Sequence, residues 1–332
     1  LPALGSARSS AFTAVSSNQQ RQFTTGMNAY AASNGGQLPG VNSREGKRIW
    51  DRANDATMLD ELNRDSSLPV QAYDWITLSV GSDVLPVNRH ARFAYLYNEF
   101  ADPAQREVTT VWSGSLGSLG ATQLLEYLQQ SDAGAMTACS YIMPMGFQYH
   151  GRRRWVGGGP IPPQVADQFI RQADGIGWID STSGQNYIPS LVQPNRTYMP
   201  RLDRLQRPSL KVYNATGTRL YNPNPSGGDS FITVDGSLRG GVAQGSAFGD
   251  FGPVHLGSRA FGLDPSSDGI AKRVAFRHNN RIVTAMFDGS TRTMTPDEAV
   301  NPTHWFPSGS ILGTGNVSPG AEEYVGADRV IN

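Results

Sequence analysis

Apolar residues recur at steps of three, four or multiples of these through the first part of the chain, with Ser, Asn, Gln and Arg between them. This is the periodicity of one helix face. Pro2 suits a first helical turn, and the segment 33–36 (Ser-Asn-Gly-Gly) is typical of a helix end. The pattern predicts a helix of roughly 30 residues, about 45 Å long, within residues 1–36. Its recurring residues are Leu1, Leu4, Ala7, Phe12, Val15, Phe23, Met27 and Tyr30.

After this helix, the pattern changes to short β-branched and aromatic runs separated by turns. Gly (37 residues) and Pro (21 residues) are frequent, which favours many short elements. Helical periodicity returns at 48–62, 121–130 and 164–173. Strands are predicted at 72–80, 92–98, 107–112, 138–143, 209–213, 230–234, 272–277, 281–287 and 290–294.

The last three of these strands predict a β-meander over residues 270–296. Asn279-Asn280 and Asp288-Gly289 both favour two-residue hairpin turns on either side of the strand 281–287. At ~3.3 Å per residue, such a strand separates the two turns by about 20 Å. We therefore expect no contact between His278 and Asp288, and we interpret this motif as structural, setting turns and strand register.

Two separated parts of the chain resemble one group of bacterial proteins. The segments 1–8, 18–23 and 27–39 (LPALGSAR, NQQRQF and MNAYAASNGGQLP) resemble the region of type IV pilin-like proteins that follows their hydrophobic membrane half-helix. Nine residues separate His278 from Asp288-Gly289. This spacing resembles that of the prepilin-type processing-associated H-X9-DG proteins, or pseudopilins, of planctomycete-like bacteria.

The resemblance implies an α+β, pilin-like fold in which the long N-terminal helix packs on an antiparallel β-sheet. On this interpretation residues 1–36 form an assembly helix and residues 37–332 form a β-rich head, with a large, loop-rich β insertion at 71–269. It also implies a precursor anchored in the membrane by an upstream segment absent from this chain, and a final location outside the cell or on its surface.

Periodicity and resemblance together divide the helix between assembly and folding. Phe23, Met27 and Tyr30 are expected to pack on the subunit's own sheet. The first part of the helix is expected to contact neighbouring subunits in a filament, with copies of the same chain or other pilin-like subunits as partners. The residues assigned to this seam are Leu1, Leu4, Ala7, Ala11, Phe12 and Val15.

The composition of the chain argues against several classes of function and site. The chain has 28 basic and 28 acidic side chains, so no net field attracts nucleic acid, and no nucleic-acid partner is expected. A single cysteine, Cys139, excludes an internal disulfide and a cysteine-only zinc site. We expect it to be a small buried hydrophobe.

Two further features are candidates for binding or modification. Asp264 and Asp268 lie in a turn that suits calcium, although an Asx-type turn explains them without metal, so no cofactor is expected. Sequons for possible glycosylation occur at Asn195, Asn214 and Asn316.

The favoured function is a structural filament subunit, and two alternatives remain open. One is a surface adhesin or carbohydrate-binding module whose aromatics, such as Trp155, Trp178 and Trp305, stack on surface glycans. The other is a secreted hydrolase with a pilin-like anchor and its site in the region 71–269. The sequence contains no nucleophile elbow and no paired metal-ligand histidines, so an enzyme is not expected.

Overall fold

One long helix, α1 (Pro2–Ser33), opens the chain and packs on a five-stranded mixed β-sheet in the computed structural model. The fold is therefore α+β, with the helix where the sequence predicts it. The structure describes residues 2–105, 110–111, 124, 126–127, 137–153, 171–172, 175–179, 192–193, 195, 197–219, 233–234, 238, 248–256, 258, 260–261, 275–313, 317–326 and 329–332.

The end of α1 follows from its two glycines. Gly35 has φ 61° and Gly36 has φ 83°, in the left-handed region that favours glycine. The Gly36 N–H donates to the Ala31 carbonyl at 2.7 Å, which satisfies one of the carbonyls left free at a helix end. The predicted stop signal is confirmed.

The described part of the chain contains five further helices, all short, and each begins at a side-chain cap. The predicted helix at 48–62 forms as two, because Asp55 accepts from the Thr57 N–H and starts a new one. The predicted strands at 72–80 and 92–98 are wrong: caps at Asp74 and Asn88 begin helices there. These helices are α2 (Arg44–Asp51), α3 (Ala56–Leu62), α4 (Trp75–Val80), α5 (Arg89–Asn98) and α6 (Pro296–Ala299).

The strands form one principal sheet and several smaller pairings. They are β1 (Thr110–Val111), β2 (Cys139–Pro144), β3 (His150–Arg153), β4 (Arg171–Gln172), β5 (Gly175–Ile179), β6 (Val192–Gln193), β7 (Val212–Arg219), β8 (Thr233–Val234), β9 (Gly249–Asp250), β10 (Ile282–Met286), β11 (Thr291–Met294) and β12 (Ile311–Leu312). The principal sheet has the order β11-β10-β7-β2-β9. Its pairings are antiparallel except for β2 with β9, so the sheet is mixed and the expectation of a purely antiparallel sheet is corrected.

Three of the five strands of the principal sheet come from the middle of the chain. β2, β7 and β9, together with α4 and α5, all lie within the region 71–269. Residue 275 is helical and residues 276–277 form a turn, so the described end of the predicted strand 272–277 is not a strand, and β7 takes the place beside β10. Of the described elements of the predicted meander, only β10 and β11 are therefore strands.

Both predicted turns of the motif exist, with different lengths. His278 and Arg281 exchange backbone hydrogen bonds at 3.2 Å across Asn279 and Asn280, which have φ 55° and 58°, as a two-residue hairpin turn requires. The second turn is one residue longer than predicted, because the Met286 N–H donates to the Ser290 carbonyl and Gly289 takes φ 87° in between.

The core lies between α1, α4 and the sheet. Phe23 of α1 meets Trp75 of α4 and Tyr141 of β2 edge to face, each with ring centroids 5.4 Å apart. α1 and α4 come into backbone contact at Gly26, where an added Cβ would lie 1.6 Å from the Ser79 carbonyl oxygen. Cys139 is buried, at 4% exposure.

Candidate functional site

The burial of α1 changes abruptly along its length. Each described side chain from residue 3 to residue 15 is exposed or half-buried, and Leu4 and Val15 are 73% and 48% exposed. We call residues 3–15 the exposed half of α1. From residue 16 onward one face is buried, and it carries Ser16, Gln20, Phe23, Thr24, Met27 and Ala31.

The exposed half is apolar and positive. Arg8 and Arg21 are the charged residues of α1, which has no acidic residue. The Arg8 guanidinium lies over the Phe12 ring, 5.1 Å from its centroid. Within the described residues no carboxylate forms an ion pair with Arg8. This half therefore offers apolar side chains around a cation without an acidic partner.

A buried polar cluster marks the point where α1 enters the head. The Asp102 Oδ2 lies 2.7 Å from His278 Nε2 and 3.1 Å from an Arg277 terminal nitrogen, and all three side chains are nearly fully buried. We call these three residues the Asp102 cluster. Helix α1 reaches it through two hydroxyls: Ser16 donates to Asp102 at 3.2 Å, and the Thr13 oxygen lies 3.2 Å from His278 Nδ1.

The Asp102 carboxylate is held ionised. Burial alone would raise its pKa, but the charge of Arg277 and the hydrogen bond with His278 lower its pKa to about 2. Arg277 also donates to the carbonyls of Gly217 and Ser140. The cluster therefore links α1 to β2 and β7 through one buried charged network.

The two hydroxyls, the imidazole and the carboxylate at this point resemble a proton-transfer relay, but they do not have the geometry of one. A hydroxyl nucleophile must give its proton to an imidazole. The Thr13 hydroxyl instead donates to the Ser9 carbonyl at 3.0 Å, and the Ser16 hydroxyl donates to Asp102. His278 is also only 2% exposed. The arrangement favours a joint between helix and head over a catalytic centre.

The structure separates the two polar residues of the motif. His278 belongs to the Asp102 cluster, whereas the Asp288 carboxylate accepts from the N–H and hydroxyl of Ser290 in its own exposed loop. Gly289 lies in that loop and is not in contact with a site. The sequence did not identify Asp102 or Arg277, which have no motif and are joined to His278 only by the fold.

The residues predicted to pack α1 on the head lie on its buried side. Phe23 and Met27 are 1% and 0% exposed. Tyr30 is half-buried, and its hydroxyl donates to Glu45 at 2.6 Å. Partial burial raises the pKa of Tyr30, and the bond to the Glu45 carboxylate raises it further. The sequence missed the polar residues of this face, and the i, i+4 spacing of Ser16, Gln20 and Thr24 was the available signal.

The assembly residues named from the sequence lie in the exposed half. Ala7 and Ala11 are exposed like Leu4 and Val15, and Phe12 is half-buried beneath Arg8. Leu1 lies outside the described residues.

In two of the sequons, the asparagine side chain is hydrogen-bonded or buried within the fold. The Asn195 amide nitrogen donates to the Ser308 carbonyl, and its oxygen accepts from Thr197. Asn214 lies in β7 with 0% exposure. Neither amide faces solvent freely, and Asn316 lies outside the described residues.

The remaining binding candidates are only partly described. Trp305 is 1% exposed and its Nε1 donates to the Ala299 carbonyl, so it offers no face to a sugar. Trp155, Asp264 and Asp268 lie outside the described residues, as does the side chain of Trp178. Within the described part of the chain, no three His, Cys, Asp or Glu side chains are grouped to hold a metal ion.

The fold and the site define an α+β protein whose N-terminal helix is half anchored in a head and half exposed. No family model, curated protein or solved structure matches this chain. In the part of the chain that the structure describes, no helix combines the length and apolar character needed to cross a bilayer.

Proposed function

We propose that this chain is the structural subunit of a pilus-like filament outside the cell or on its surface, assembled through the exposed half of α1. The observation that carries the proposal is the change in burial along one continuous helix, from Leu4 at 73% exposure to Met27 at 0%. The pilin-like segments at both ends of the sequence support the same function. They also support a pilin-like fold and a membrane-anchored precursor.

Energetics support an external partner for the exposed half. Ser and Thr are frequent in α1 and lower its helix propensity, so a helix of this composition gains little stability alone. Burying Leu4 and Val15 against a neighbouring subunit would contribute about 1.5–3 kcal/mol for each side chain before the costs of association. Contacts between different surfaces of identical subunits propagate as an open array, which is how a filament grows.

Placing charges in the proposed seam tests this function. In full-length protein in its native host, we expect Leu4→Lys and Val15→Lys to abolish filaments, because each buries an unpaired ammonium group in the contact between subunits. Filaments are measured by sedimentation of sheared surface material and by electron microscopy.

A matched variant separates the seam from general effects of surface charge. Val330 is 49% exposed, close to Val15 at 48%, and lies outside α1. Val330→Lys should leave filaments at the wild-type level. Wild-type filament yield in both seam variants would contradict the proposal.

A further inference from the structure

A second surface combines exposed apolar side chains with an unpaired charge, and its charge is opposite to that of the exposed half of α1. Val84 and Val87 are 57% and 51% exposed, and Asp83 beside them is exposed. We call these three residues the Val84 patch. It follows α4, the helix that packs on α1 at Gly26.

The backbone of the Val84 patch is held in place by buried side chains. Leu85 is buried between the two exposed valines, at 6% exposure. One terminal nitrogen of the buried Arg92 donates to the carbonyls of Pro86 and Val87, at 2.9 and 2.7 Å. A surface fixed in this way loses little conformational entropy when a partner binds.

The charge on this patch is available to a partner. The Asp83 carboxylate accepts a long 3.5 Å hydrogen bond from the Ser82 hydroxyl. Among the described residues no Lys, Arg or His forms an ion pair with it. Asp83 therefore complements Arg8, which also has no acidic partner there.

The other exposed apolar side chains in the described part of the chain do not complement the helix. Met199, at 36% exposure, lies near Arg201, whose charge is already paired with Asp203. Val330 follows Arg329, a positive charge like that of Arg8. The Val84 patch is the one described apolar surface with a free acidic group.

We infer that the exposed half of α1 in one copy docks on the Val84 patch of the next copy, with Leu4 and Val15 against the two valines and Arg8 facing Asp83. This inference rests on the proposed function and names the surface that receives the helix. Both surfaces are exposed within one copy and carry opposite charges, which fits docking between two copies of the chain. Helix and patch are different surfaces, and the contact therefore repeats without closing.

Exchanging the two charges tests the pairing, because charged groups at an interface govern register and choice of partner. In full-length protein, Arg8→Glu and Asp83→Arg should each reduce sedimentable filaments severalfold. The combined variant restores the attraction with reversed signs and should recover filaments. Asp60→Arg, which reverses another exposed acid, and Arg21→Glu are the controls and should assemble normally. Failure of the combined variant to recover, or normal assembly of both single variants, would overturn the pairing.

Cysteine cross-linking tests the geometry directly. The native cysteine, Cys139, is buried, so the variant Leu4→Cys/Val87→Cys carries two accessible thiols. Mild oxidation of filaments should give a ladder of covalent oligomers on a denaturing gel. Dimers without a ladder would indicate a reciprocal contact and overturn the inference, as would filaments that do not cross-link. If filaments form but do not cross-link, the docking inference is wrong and the filament function still stands. If the wild-type protein forms no filaments, both the docking inference and the filament function are wrong.

Discussion

Replacing Asp102 by Ala is expected to lower the free energy of unfolding by about 3–5 kcal/mol, because removal of one partner leaves buried charge uncompensated. Asp102 is 1% exposed and is the carboxylate that Arg277 and His278 share. Urea denaturation of the purified chain measures the change as a lower midpoint at constant slope. Asp60→Ala removes an exposed carboxylate and should change stability little.

The pH dependence of stability gives the same cluster a second test. The pKa of Asp102 falls from 3.8 to about 2 on folding, so its contribution is complete above about pH 4 and is lost as the pH falls toward 2. The shift corresponds to about 2–3 kcal/mol. Asp102→Asn keeps the side-chain shape without the titrating charge, and wild type should lose stability relative to this variant between pH 4 and 2. Parallel curves for the two proteins would contradict a paired, ionised Asp102.

Gly26→Ala is expected to destabilise the protein by about 3 kcal/mol, because the added methyl group would overpack against atoms that cannot move aside. The added Cβ would lie 1.6 Å from the Ser79 carbonyl oxygen and 2.7 Å from its carbon. These are backbone atoms of α4, so α1 and α4 must separate. The measurement is the midpoint of thermal or urea unfolding.

A second glycine in the same helix provides the matched control. Ala is the better helix former by roughly 1 kcal/mol, so propensity alone predicts stabilisation at both positions. A Cβ at Gly5, in the exposed half, meets no atom within 4 Å. Gly5→Ala should therefore leave stability unchanged or raise it slightly. If Gly26→Ala behaved in the same way, the close approach of α1 to α4 would be wrong.

Local signals in the sequence predicted the long helix and the final hairpin well. The apolar period and the two glycines after Ser33 place the bounds of α1, and Asp288-Gly289 places the turn between β10 and β11. These features are determined by residues that are close together in the sequence, so the local pattern is sufficient to predict them. The length of the second turn was missed because Phe287 joins Asp288 and Gly289 in the loop between Met286 and Ser290.

Helices α4 and α5 were mistaken for strands because α4 is rich in aromatic and β-branched residues and α5 is rich in aromatic residues. The signals that favour helix are the caps at Asp74 and Asn88 and the packing of α4 on α1. Tertiary packing overrides strand propensity in such short segments. A cap followed by only six helical residues, as in α4, is a weak signal on its own.

The Asp102 cluster could not be predicted because its members are far apart in the sequence. His278 was noticed for its spacing to Asp288, but its partner in the fold is Asp102, 176 positions away. The hydroxyls of Thr13 and Ser16 look like solvent-facing helix residues until the sheet is in place. Burial of a charge is a property of the assembled fold and not of local pattern.

Electron microscopy of full-length protein isolated from its native host tests the central claim most directly. We expect regular filaments in which residues 3–15 lie in the interior, against neighbouring subunits, with the heads outside. A map in which these residues stay exposed, or material that is strictly monomeric, would contradict assembly through α1.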